Sequence, residues 1–142
     1  MIKRALACAW AAPCTALGLV AGLGMLAAGG RARIVRRTFE FSGGLLGPGL
    51  ARLPQRFRFT AMTLGHVILG VDAQALESLR DHEQVHVSQY GRWGPFFIPA
   101  YLLSSVWQMC CGRCAYRDNY FEKQAFAIGG PGPGVGVLPP SN

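Results

Sequence analysis

Two uncharged apolar runs dominate the hydrophobic pattern. Ala5–Ala28 is 24 residues without a charge, and Trp93–Gly112 is 20 residues between Arg92 and Arg113. At about 1.5 Å rise per residue, either is long enough as one helix to cross a bilayer core. Lys3 and Arg4 precede the first run, and Arg31, Arg33, Arg36 and Arg37 follow it. Charges placed so anchor a span at lipid headgroups. An uncleaved transmembrane helix with a basic flank is therefore expected over 1–37. A signal peptide cleaved within Ala27–Gly30 is the rival reading. Against it, the run is long for such a segment and the arginines behind it resist translocation.

Between the runs the pattern changes. Thr38–Pro54 carries Gly43, Gly44, Gly47 and Gly49 and reads as a linker, 38–55. Arg56–Thr60 alternates polar and apolar, and Thr63–Val71 is rich in β-branched residues, which together suggest a strand or hairpin. Leu76, Leu79, His82 and His86 recur at spacings of three and four and so share one helix face. Asp72 or Ser78 can cap that helix and Gly91 can stop it. Pro95 and Pro99 interrupt the second apolar run. Asp118 or Asn119 opens another helix through Glu122 and Ala125. Gly129–Asn142 reads as a disordered Gly/Pro tail, 129–142. The expected fold is mainly α with a small β element, in a domain over 56–128, behind the N-terminal membrane helix.

Composition sharpens this. The chain has 142 residues, room for one domain, with 51% hydrophobic and only 15% charged residues, against about 25% charged in soluble domains. That excludes a disordered chain. The net charge of +7 is uneven: residues 1–58 hold nine Lys/Arg and one acid, and 59–142 hold five and six. No fold motif or basic–aromatic pattern supports nucleic-acid binding, so lipid is the expected partner. Five cysteines (Cys8, Cys14, Cys110, Cys111, Cys114) include one CxxC, Cys111–Cys114, without the second pair that a closed zinc site needs.

The chemistry sits at His82-Glu83-Gln84-Val85-His86. Residues four apart lie one above the other on a helix, so both imidazoles can reach one metal ion. Glu83 then faces a bound water as general base, the HExxH arrangement of zinc peptidases. A third protein ligand is required. Glu122 is the first candidate, although with Asn119 it also fits a helix capping box; His66 is the second. Asp118 can orient a histidine, and Tyr116, Arg117 and Tyr120 are candidates to stabilise the transition state.

His82, Glu83, His86 and the downstream Glu122 resemble a gluzincin, the HExxH…E class of zinc peptidases. More closely, the chain resembles a group of short, uncharacterised bacterial membrane proteins. The shared stretches are Thr63-Leu-Gly-His-Val67, His82–Tyr90, Arg92-Trp-Gly-Pro95 with Pro99-Ala-Tyr-Leu102, and Tyr116-Arg-Asp-Asn119 with Phe121-Glu122. The resemblance covers roughly residues 56–127 and implies a minimal zincin-like core with one zinc ion; that group brings no established substrate, and the gluzincin-like site alone implies a peptide or protein substrate. The expected location is a bacterial inner membrane, with the domain leaning to the cytoplasmic side by its arginine flank. A non-catalytic zincin-like protein and a metal-free membrane interaction protein are the alternatives. If Trp93–Gly112 crossed the bilayer, His86 and Glu122 would be on opposite sides. A shared metal therefore requires that segment to fold back.

Overall fold

Neither apolar run forms a single long rod. The computed structural model describes residues 2–44, 60–130 and 132. The first run divides into α1 (Ile2–Trp10) and α2 (Ala12–Ala27). Pro13 lies in the first turn of α2, where its missing N–H is tolerated but the preceding helix cannot continue through it. The 16 residues of α2 span about 24 Å, short of the roughly 30 Å hydrocarbon core. Among the described residues no helix is long and apolar enough to cross a membrane. The transmembrane helix expected over 1–37 is thus replaced by two shorter helices and a strand.

That strand is β1 (Gly30–Val35), built from the basic flank itself. Arg36 and Arg37, both left-handed at φ 49° and 68°, turn it into β2 (Thr38–Gly43). β2 occupies the start of the expected linker; residues 45–55 of that linker, and Arg56–Phe59 of the expected strand, lie outside the described residues. The hairpin of β3 (Ala61–Leu64) and β4 (Val67–Gly70) falls where the β-branched stretch placed it. The sheet order is β1-β2-β4-β3, with β2 and β4 parallel and both other pairs antiparallel.

The two faces of the sheet are covered differently. Phe41, Val67 and Leu69 pack with Met25 of α2 on one face. Ala61 and Ile68 pack on the other with Leu76, Leu79 and Val87 of α3 (Ala73–Trp93). Asp72 caps α3 by accepting from Ala75 N at 2.7 Å. Gly91 does not end it; the stop is Gly94, left-handed at φ 55°. A 3-10 turn, Gly94–Phe96, leads into α4 (Phe97–Cys110). α5 (Tyr120–Gly129) closes the chain against α3 and α4. Gly129 is the last residue of that helix, and residues 131 and 133–142 of the expected tail lie outside the described residues.

Polar ties fix α3 to the sheet. The buried Glu40 carboxylate accepts from Arg80 Nε of α3 at 2.9 Å and from Arg33 Nε of β1 at 2.7 Å. Gln84 Nε2 donates to Thr38 Oγ1 at 3.0 Å. A buried charge is tolerable when paired in this way, and the pairing sets how α3 lies across the strands.

On the opposite face α2 approaches the sheet through small residues. A Cβ on Gly18 would lie 2.7 Å from Val67 Cβ and 3.0 Å from the Leu64 carbonyl oxygen. Gly18→Val should destabilise the fold by about 1–3 kcal/mol through overpacking, read as a lower urea midpoint. An unchanged midpoint would mean that α2 does not rest on this face.

Candidate metal centre

α3 and α5 bring His82, His86 and Glu122 together. All three are buried, and one ligand atom from each lies within 4.8 Å of the other two. His82 Nε2 is 3.1 Å from Glu122 Oε2, and His86 Nε2 is 3.4 Å from Glu122 Oε1. A tetrahedral ion with ligands about 2.0–2.1 Å away holds its donor atoms about 3.3 Å apart, so the group is of the size that one ion needs.

The outer nitrogens decide what the inner ones can do. His82 Nδ1 is 3.2 Å from the Gly130 carbonyl oxygen, an atom that only accepts, so Nδ1 carries the proton. His86 Nδ1 is 2.8 Å from Gln89 Oε1. The amide of Gln89 is oriented by its other end, where Nε2 donates to the Phe121 carbonyl at 3.0 Å and to Gln124 Oε1 at 2.8 Å. His86 Nδ1 is therefore a donor too. In the neutral imidazoles both Nε2 atoms then present lone pairs, and both face a carboxylate. Lone pairs facing lone pairs in a buried space repel unless a proton or a metal ion stands between them. The donor set and its outer partners thus fit a metal ion.

Glu122 itself is held ionised. Burial alone would raise its carboxyl, but His82, His86 and the Tyr101 hydroxyl bring it down to about 2. Tyr101 Oη donates to Oε1 at 2.6 Å. Burial acts against the charge on His86, and the Glu122 carboxylate outweighs it, raising that imidazole. Glu122 lies in the first turn of α5, where Asn119 is the N-cap, accepting from Phe121 N at 2.9 Å. The Glu122 side chain turns to the histidines, so the capping role belongs to Asn119. Asn119 also donates to the Tyr101 carbonyl at 2.9 Å and to Ser105 Oγ at 2.7 Å, tying α5 to α4.

Glu83 stands apart from the three. It is 2% exposed and accepts from Thr63 Oγ1 of β3 at 2.6 Å. Its carboxyl is raised, chiefly by burial, against the lowering effect of His86, Thr63 and His82. Among the described residues the buried Tyr116 hydroxyl has no hydrogen bond of good geometry, with the Glu122 carboxylate in its neighbourhood. Gly132 closes the other side: a Cβ there would lie 2.7 Å from His82 Nε2 and 2.8 Å from the Tyr116 hydroxyl. Gly129 packs as closely on the backbone of Asp81 and His82.

The remaining candidates lie elsewhere. His66 is in the β3–β4 turn, its Nδ1 3.4 Å from Thr15 Oγ1 of α2, and it is not a member of the group. Asp118 accepts from Cys114 N at 2.9 Å and pairs with Lys123 at 3.3 Å, rather than orienting a histidine. Arg117 and Tyr120 are exposed. Cys111 and Cys114 are exposed and unbonded. Compared with known protein families, curated proteins and solved structures, the chain matches none.

Thr63, Gln89, Tyr101 and Asn119 were not among the expected site residues. Gln89 left a signal in its spacing, three positions after His86 on the same helix face, Asn119 was legible as a helix cap, and all four fall in the stretches that carry the resemblance. If the group holds a metal ion, Gln89→Leu should lower its affinity for a divalent metal about 10–100-fold, the usual cost of losing a partner behind a ligating histidine, with the helical circular dichroism retained. A chelator competition giving wild-type affinity would show that Gln89 does not set the state of His86.

Proposed function

We propose that the chain is a zinc metallopeptidase of gluzincin type. The observation that carries this reading is Glu83. It is a buried carboxylate beside the two histidines that no ligand position requires, with its proton affinity raised by burial. A general base works best with a pKa moved toward the working pH. His82, His86 and Glu122 would hold zinc, which would supply a Lewis acid. Glu83 would serve as the base that takes a proton from the attacking water and returns it to the leaving amine. Thr63, donating to Oε2, leaves Oε1 as the oxygen for proton transfer. The buried Tyr116 hydroxyl is the donor for the developing oxyanion, in preference to the exposed Arg117 and Tyr120. The substrate class is a peptide or protein.

One observation favours a second reading, a non-catalytic zincin-like protein. Gly132 packs over His82 Nε2 and the Tyr116 hydroxyl, the two groups to which the catalytic reading gives zinc binding and oxyanion stabilisation. The two readings separate at Glu83. Glu83→Gln should keep zinc and folding, because the amide is nearly isosteric, and lose about 10²–10⁴-fold in peptide hydrolysis. Glu122→Gln should instead weaken zinc binding. Hydrolysis of a peptide library by wild type that Glu83→Gln reproduces in full would remove the catalytic role. Absence of zinc from wild type, purified and titrated, would remove both readings.

A further inference from the structure

Two helices carry outward faces without a polar side chain. α2 packs on the sheet through Cys14, Gly18, Gly22 and Met25. Its exposed positions are Ala12, Pro13, Ala16, Leu17, Val20 and Ala21, followed by Leu23, Gly24, Leu26 and Ala27. Val20 and Leu17 are 70% and 61% exposed. On α4 the exposed residues are Pro99, Leu102, Leu103, Val106, Trp107 and Met109, then Cys110. Leu103 and Trp107 are 70% and 66% exposed. The faces connect through Trp10 and Phe96, both exposed, whose ring centroids are 6.0 Å apart. An amphipathic surface helix turns polar residues outward; these do not, and contiguous exposed apolar surface of this kind marks an interaction site.

Charge indicates the occupant. Arg31 follows α2, and Arg92 and Arg113 bracket α4, all three exposed. Trp93 and Trp107 are exposed on the same stretch. Tryptophans beside an apolar face with arginines at its ends form the pattern of a helix lying at a lipid headgroup boundary. A two-fold pairing of copies would bring these like charges toward one another in a chain of net charge +7, whereas anionic headgroups neutralise them. The sheet sets the orientation. The inner face of α2 is packed on it, and β1 is an edge strand with Arg31 and Arg33. An open sheet edge cannot enter hydrocarbon. We propose that the outward faces of α2 and α4 lie in one leaflet of an anionic bilayer, parallel to its plane, with neither helix crossing it. This stands whether or not the metal centre is catalytic.

The test uses the full chain with vesicles of phosphatidylcholine, alone or with about a quarter phosphatidylglycerol. Wild type should co-sediment with the anionic vesicles and less with the neutral ones. Leu103→Glu with Trp107→Glu should weaken binding at least about tenfold with unchanged circular dichroism. In a cysteine-free background, Lys3→Cys and Arg31→Cys should both react with an impermeant maleimide added outside. Wild-type binding by the double variant would overturn the proposal, as would one of the two cysteines lying protected inside. Failure of wild type to bind, with a dimer that the double variant dissociates, would assign the face to a second copy instead. His82→Ala and Glu83→Gln should bind vesicles as wild type does, so a failed peptidase reading remains distinguishable from a failed membrane one.

Discussion

A carboxylate buried against two imidazole nitrogens is the constraint on which the site depends. Glu122 faces both Nε2 atoms at 3.1 and 3.4 Å, and the histidines have already committed their Nδ1 protons to Gly130 and Gln89. Left without a cation, that arrangement must take up protons in a space where charge is costly. The surrounding chain is organised to hold it. Gln89 joins α3 to α5, Asn119 joins α5 to α4, and Tyr101 on α4 donates to the same carboxylate. Three helices are therefore fixed relative to one another by polar contacts that surround this carboxylate.

The sheet serves a different member of the motif. His82 and His86 look toward α5, but Glu83 is held by Thr63 of β3. One residue of offset along α3, about 100° around the axis, separates the ligand side from the sheet side. Arg80 and Gln84, bonded to Glu40 and Thr38, fix the rotation of α3 about its own axis. This rotation lets Glu83 reach Thr63 of β3 while His82 and His86 turn to Glu122, with the Glu83 carboxylate still near enough to be influenced by both imidazoles. The buried ion pair is thus less a source of stability than a register device.

Local patterns carried the parts of this that depend on neighbours along the chain. The spacing of Leu76, Leu79, His82 and His86 marked α3, and Glu122 was identifiable because an N-cap residue and a helical pattern surround it. The β3–β4 hairpin was legible from its β-branched residues. The basic flank gave no sign of β1, because Arg31 and Arg33 lie on an edge strand whose pairing with β2 is set by tertiary context. The expected linker concealed β2, where Glu40 and Thr38 are buried only because Arg80 and Gln84 reach them from 40 and 46 residues away. Tyr101 and Thr63 join the site by the same long-range route, and no spacing rule reaches across it.

The second apolar run shows why an absence of charge was misleading. Trp93–Gly112 looked uniform because hydropathy averages around a helix, yet α4 has two unlike sides. Its inward side carries neutral hydrogen-bonding groups. Tyr101 bonds Glu122, Ser105 accepts from Asn119, and Ser104 accepts from Tyr120 N at 3.0 Å. Its outward side is Leu102, Leu103, Val106 and Trp107. A span surrounded by lipid would leave those inward groups seeking partners in hydrocarbon; here α5 supplies them. Polar partners on one side and none on the other are what an in-plane helix requires. The same helix that orients the Glu122 carboxylate therefore carries the surface that we assign to lipid.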